Sequence, residues 1–259
     1  MFTPISTINP IKGTSKEEEA VLADEEPLEI RLGFMNKQGQ RVHKSLAVLL
    51  RSPGQDIELC LGYLFSRKII HSASQVMDIE TYKINKIRVE LVSNHQPVIN
   101  KSILDLHLKS IPNPKAEGIG KDDFQIRAEY LCNLAKNLRL KQDLFHSTGS
   151  TSACGLFDEY GVVLQIAEDL RIQNALDKLL GSLLLKDKLP LRKQGLIIST
   201  GADFELLHRA LQIYCPMLAS LGAPSSLAVE MARQSGMSLL ALLHEEAFSI
   251  YHDSERIIA

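Results

Sequence analysis

The sequence predicts an α/β protein in two parts, a small α+β unit over residues 26–111 and a larger α/β domain over residues 124–259. Three observations carry this. Beyond residue 124 short apolar runs alternate with stretches of helical spacing across short connectors, which implies βαβ crossovers and a largely parallel sheet covered by helices on both faces. Before residue 111 a hairpin pattern precedes one helix and two further strands. Between them, Pro112 to Asp123 holds two prolines, two glycines and hardly an apolar side chain, the mark of an exposed loop at a boundary.

Each element has its own signal. Residues 1–25 lack an apolar run of signal-peptide length and pass through Glu17-Glu18-Glu19, so they read as a mobile tail. Leu28, Ile30 and Leu32 alternate, Asn36 to Gly39 offers a turn, and Ser45 to Leu50 returns as a second strand. Ile57 to Phe65 clusters apolar residues at helical spacing behind a cap in Ser52 to Asp56, and ends near Arg67 and Lys68, cations suited to the C-terminal dipole. Strands are expected over Ile84 to Val92 and Pro97 to Leu108. The helical stripe Phe124 to Leu138 opens the second part. There follow strands at Ala153 to Phe157 and Val162 to Ile166, a helix at Asn174 to Leu185, and a strand at Gly195 to Ser199. A helix at Phe204 to Tyr214, a strand at Met217 to Leu221, a helix at Ser226 to Gln234 and a strand at Ser238 to His244 complete the pattern.

Composition narrows the function. The chain's 259 residues can bury a core without disulfide staples. A net charge of −2, from 29 cations and 31 anions, argues against broad binding to nucleic acid or anionic membrane. No apolar window is long enough to span a bilayer, and the expected location is the cytoplasm. The four cysteines, Cys60, Cys132, Cys154 and Cys215, are dispersed, with no CxxC and no zinc-ligand spacing, so no metal site is expected. Each reads as a small buried hydrophobe.

Chemistry-bearing loops are few. Thr148, Gly149 and Ser150 open a hydroxyl-rich turn that can face an anion, or can simply satisfy its own backbone. Glu168 and Asp169 suit acid/base work or serve as dipole complements at a helix start. Ser199 to Asp203 and Ala223 to Ser226 end successive strands ahead of helices, where open α/β sheets place ligands.

In order, the chain also carries Gln55-Asp56-Ile57-Glu58-Leu59-Cys60-Leu61-Gly62-Tyr63-Leu64-Phe65, Thr148-Gly149-Ser150, Leu156-Phe157-Asp158, Glu168-Asp169 and Asn174-Ala175-Leu176-Asp177-Lys178. Ser199 to Glu205 and Ala223-Pro224-Ser225-Ser226-Leu227-Ala228-Val229-Glu230 continue the series. Over nearly the whole chain from Glu26 this resembles the formate dehydrogenase accessory protein family, FdhD/NarQ. The resemblance implies a cytidine-deaminase-like three-layer α/β domain without the deaminase zinc, joined to a smaller domain, in a homodimer. It also implies a sulfur carrier that takes persulfide sulfur from a cysteine desulfurase. The sulfur goes to the molybdenum bis-guanylyl cofactor before that cofactor enters formate dehydrogenase. No cofactor is expected to be bound covalently. The cofactor-binding loops it implies hold Thr148, Gly149, Ser150, Asn174, Asp177, Lys178, Ser199 and Ser225, together with Leu242, Leu243, His244, Glu245, Glu246 and Ala247.

The chain departs from the family pattern where sulfur chemistry resides. The family's Cys-Gly-x-Cys-Gly-Lys loop aligns with Ala116 to Lys121, so its two cysteines become Ala116 and Ile119. Ser152 stands for a histidine, Gly201 for an arginine, and His244 to Ala247 for a loop commonly reading Lys-Pro-Gly-Arg. Neither alanine nor isoleucine can hold a persulfide. Cys154, six residues beyond Thr148, is the substitute thiol nearest the loops. Two alternatives to a sulfur carrier follow: a paralogue that binds a nucleotide-like ligand or a maturation partner without transferring sulfur, and a structural subunit of a cysteine-bearing paralogue.

Overall fold

A computed structural model describes residues 2–9, 11, 13–98 and 124–258. It is a mixed α/β structure with six helices among those residues. The first part forms β3 (Glu26–Met35), β4 (Arg41–Arg51), α1 (Asp56–Ser66), β5 (Val76–Lys83) and β6 (Lys86–Leu91). The hairpin and helix fall where the sequence puts them. Strand β5 is additional, and the strand expected over Pro97 to Leu108 falls mostly outside the described residues. The four strands pair in the order β4-β3-β6-β5. Leu28, Ile30, Leu32, Ile87 and Val89 bury one face against Leu59, Leu61 and Leu64 of α1, the alternation of a sheet that packs on one side only. The expected cap of α1 is replaced. Gln55 takes the left-handed conformation without a side-chain cap bond, and Asp56 pairs with the buried Arg51 at 2.9 Å.

The other face of this sheet is tied by one carboxylate. Glu90 of β6 accepts from Arg41 at 2.5 Å and bonds His43 at 2.6 Å, both on β4. It reaches them across β3 at Gly33, where an added Cβ would lie 2.2 Å from its Oε2. Burial pushes the Glu90 carboxyl up, but the hydrogen bonds from His43 and Arg41 outweigh it and hold it below the ordinary range. A depressed carboxylate stabilises the fold above the unfolded-state value of about 4.3, and that stabilisation is lost as pH falls through the folded value. Urea unfolding followed from neutral pH downward should therefore show a smaller acid loss in Glu90→Gln than in the wild type. Parallel losses would refute this role.

Residues 2–21, expected as a tail, instead pair as a β-hairpin of β1 (Phe2–Asn9) and β2 (Thr14–Val21). The alternation Phe2, Pro4, Ser6 is compatible with a strand, although its composition is that of a tail.

The second part contains β7 (Ile126–Arg127), α2 (Ala128–Arg139), α3 (Asp143–Thr148), β8 (Ser152–Phe157), β9 (Val163–Asp169) and α4 (Ile172–Leu185). These lead into β10 (Gly195–Ile198), α5 (Phe204–Gln212), β11 (Met217–Ser220), α6 (Ser226–Ser235), β12 (Ser238–His244), β13 (Ala247–His252) and β14 (Ile257–Ile258). Phe124 lies ahead of α2 and meets Phe157 edge-on at 6.0 Å. The central sheet has the order β13-β12-β11-β10-β8-β9. It is mixed, not largely parallel: only β10–β11 and β11–β12 run parallel. Crossovers through α5 and α6 impose that direction, whereas the tight turns after β8 and β12 can only reverse the chain. One face packs on α4, α5 and α6 through Leu176, Leu183, Leu207 and Met231, the other on α2 through Leu131, Leu134 and Leu138.

The two parts meet at α1 and α4. A Cβ at Gly62 would lie 1.8 Å from the Asp177 carbonyl oxygen, and one at Gly181 would lie 1.9 Å from that of Glu58. The helices thus touch backbone to backbone at two points.

Candidate functional site

Register brings the sequence's candidate loops to one end of the central sheet. Ser152 faces Asp169, Cys154 faces Ile198, Ile198 faces Ser220 and Ala219 faces Leu240. Thr148–Ser152, Asp169–Asn174, Ser199–Asp203, Leu221–Ser226 and His244–Ala247 therefore share that end. Two of the loops touch directly: Gly222 donates to the Thr200 carbonyl at 3.1 Å and Ser225 to that of Ala202 at 2.9 Å. A Cβ on Gly201 would lie 2.3 Å from the Ala223 oxygen, so this backbone excludes the arginine that the family pattern puts there.

Most polar groups in these loops are engaged within the fold. Thr148 donates to Leu144 at 2.6 Å and accepts from Ser150, while Gly149 at φ +70° ends α3. The ordinary-loop reading of that turn describes its hydrogen bonds. The Ser199 hydroxyl accepts from Ala153 at 2.8 Å, Asp203 caps α5 and Ser225 caps α6. Leu242 is exposed at φ +55°, beside a bulge in β12–β13, and Leu243 is buried. His244, Glu245, Glu246 and Ala247 are exposed.

Asn174, Asp177 and Lys178 lie deeper, in a buried polar seam between the two parts. The Lys178 ammonium donates to Ser52 O at 2.9 Å and Glu168 O at 3.2 Å and pairs with Asp169 at 2.9 Å. Asp169 also accepts from the Ser52 and Arg171 amides and from Asn174, which donates a second bond to Leu50 O. A few residues away, Asp177 accepts from Arg209 at 2.9 Å and from Ser66, and pairs with Arg67 at 3.5 Å. Glu168 caps α3, accepting from the Leu144 and Phe145 amides at 2.9 Å. It is thus a dipole complement, though of a different helix from the one its sequence position suggests. A cavity of about 320 Å³ lies beside this seam, lined in part by Gly54, Gln55, Lys141, Leu144, Ile166 and Lys178. Sequence reasoning missed Ser52, Arg209 and the glycine pair; only the Glu205–Arg209 spacing advertised a contact, an i,i+4 ion pair.

The thiols are mostly sealed. Cys60, Cys154 and Cys215 are buried and Cys132 is half-buried. Burial pushes the Cys60 and Cys154 thiols far above their ordinary range and Cys215 up to about 12. Cys154, the substitute nearest the loops, is fully buried within the core formed with α4, where no thiolate forms and no donor reaches it. Ala116 and Ile119 lie outside the described residues. Among the described residues, no group of three or more His, Cys, Asp or Glu side chains could hold a metal ion, and no helix is long and apolar enough to cross a membrane.

A mixed sheet sandwiched by helices, clamped through a buried ionic seam to a second sheet and carrying its loops at one end, defines a mixed α/β protein built on several sheets. Residues 23–258 match the FdhD/NarQ family model, and the chain belongs to that family. It is 33% identical over 246 residues to the sulfur carrier protein FdhD of Saccharolobus solfataricus, covering 91% of this chain and 90% of that one. The sulfur carrier protein FdhD of Nocardia farcinica is 33% identical over 259 residues, covering 91% and 88%. In fold, the chain matches the crystal structure of a protein from Desulfotalea psychrophila, described as a formate dehydrogenase accessory protein. The TM-score is 0.77 at 23% identity, over 100% of this chain and 99% of that one.

Proposed function

We propose that this chain serves formate dehydrogenase maturation as a sulfur carrier of the FdhD kind. The observation that carries this is the identity of about a third, over nine-tenths of the chain, with relatives that all bear that name. On this reading the chain works in the cytoplasm as a homodimer with a cytidine-deaminase-like second domain. It accepts sulfur from a cysteine desulfurase and delivers it to the molybdenum bis-guanylyl cofactor bound for formate dehydrogenase. The division into parts before residue 112 and after residue 123 belongs to the same reading.

Sulfur transfer makes a definite demand. A thiolate of the carrier attacks the outer sulfur of the donor persulfide, a new S–S bond forms, and the donor thiolate leaves. With Cys60, Cys154 and Cys215 sealed, Cys132 of α2 is the thiol that reaches solvent. Incubation with a cysteine desulfurase and free cysteine should therefore add one sulfur atom by intact-mass spectrometry, and Cys132→Ser should abolish the gain. A chain that gains no sulfur loses the carrier role.

The relatives' names speak against the second reading, binding without transfer, whose one motive is that Ala116 and Ile119 stand where the family pattern has cysteines. The strand-end loops also fit an anionic dinucleotide poorly. Arg171 is their exposed cation, already 3.9 Å from Glu25, while Lys178 is occupied and Glu245 and Glu246 oppose it.

A further inference from the structure

Strand β9 ends the central sheet, so one of its edges has no neighbouring strand. Alternation along the ladder decides which backbone groups that edge presents. Ala153 of β8 turns its amide and carbonyl toward Ser199, on the β10 side, so its β9 partner, Glu168, turns its own outward. The Glu168 carbonyl accordingly accepts from Lys178. Two residues earlier, the amide and carbonyl of Ile166 point the same way. The cavity of about 320 Å³ lies against this edge. Ile166, Ala167 and Glu168 all line it, and successive strand residues, whose side chains alternate between faces, border one space only when it views the strand edge-on.

Each side of the edge carries its own cation. Gln165 turns to α4, where it bonds Ser182 and accepts from the exposed Lys186 at 3.1 Å. Glu168 turns to the other side, toward Leu144 and Phe145, where the exposed Lys141 and Leu144 line the cavity. Neither lysine has an ion pair among the described residues, and Asp143 is the exposed acid of the lining. A bulge between Val163 and Gln165 interrupts regular pairing upstream. The regular open stretch is therefore Gln165 to Glu168.

We propose that this edge binds an extended acidic segment of a partner protein, which adds to the six-stranded sheet as a further strand beside β9. Main-chain bonds to Ile166 hold the segment whatever its side chains, and the two lysines select its charge. Positions opposite Gln165 and Glu168 are three residues apart, hence on opposite faces of the added strand. Lys186 meets one and Lys141 the other. The segment recognised thus carries two carboxylates three residues apart, and an apolar residue opposite Ile166 falls on the side of Leu144. The proposal is independent of whether the chain carries sulfur.

Fluorescence anisotropy with the full chain tests it. The probe is a labelled, end-capped heptapeptide of valine and threonine with two aspartates three positions apart. It should bind saturably, and about tenfold more weakly when one aspartate is moved to put both carboxylates on one face, or when the chain carries Lys141→Glu/Lys186→Glu. Methylating the peptide's central amides should abolish binding, because it removes the donors of an added strand. Ile166→Pro should do the same from the protein's side while sparing the β8–β9 ladder, since the amide it deletes faces the open edge; if that variant does not fold, the methylated peptide decides. No saturable binding at about 1 mM peptide would overturn the proposal. So would binding indifferent to methylation or to aspartate spacing. Failure of the peptide to bind, together with an Ile166→Pro chain that sediments as a smaller assembly than the wild type, would give the edge to a second copy instead and equally overturn it.

Discussion

Replacing Lys178 by alanine should destabilise the protein by about 3–5 kcal/mol, because it strands the fully buried Asp169 carboxylate without its cation. The charge would keep hydrogen bonds from Ser52, Arg171 and Asn174, which puts the effect toward the lower end of that range. Urea unfolding followed by circular dichroism measures it. Lys178→Met combined with Asp169→Asn should recover part of the loss, since removing both charges leaves no uncompensated ion. The result separates two meanings of the Asn174-Ala175-Leu176-Asp177-Lys178 motif. A ligand-binding lysine could be removed with little cost to stability, whereas a clamp between the two sheets could not. An unfolding midpoint equal to that of the wild type would return the motif to a binding role.

Gly62→Val should cost about 3 kcal/mol or more, the upper range for overpacking, because its Cβ meets backbone rather than a side chain that can move aside. The Asp177 carbonyl 1.8 Å away belongs to α4, so the two helices must separate and the seam beside them must open. Gly181→Val should act alike from the other helix. Because both spread the same contact, the double variant should cost less than the two single costs added together. Strict additivity in the unfolding free energies would show that the two glycines do not serve one interface.

Most elements of the second part were legible in sequence because each carries its own local signal. Gly195 to Ile198 is an uninterrupted apolar run, Ser225 and Asp203 stand as caps, and Gly236 ends α6 at φ +71°. Strand direction was not legible, since it depends on whether a connection is a hairpin or a crossover, and apolar spacing is the same for both. Strand β5 escaped because Met77, Asp78, Glu80 and Lys83 give an edge strand too little apolar pattern. The site was legible as loops but not as contacts. Lys178 and Ser52 stand 126 residues apart, and nothing local to either announces the other.

That separation also bears on how the chain is made. The four-stranded sheet is synthesised first, yet its core is completed by Leu184, and its helix α1 finds its backbone partner only in α4. At roughly 5–20 residues per second, the ribosome needs on the order of ten seconds to pass from Ser52 to Lys178. For that interval the nascent first half bears a helix whose flat face at Gly62 is unmet and an arginine, Arg67, without its aspartate. The close contact that makes the finished molecule stiff leaves its unfinished form exposed, so the N-terminal half depends on the C-terminal half for protection as well as for packing.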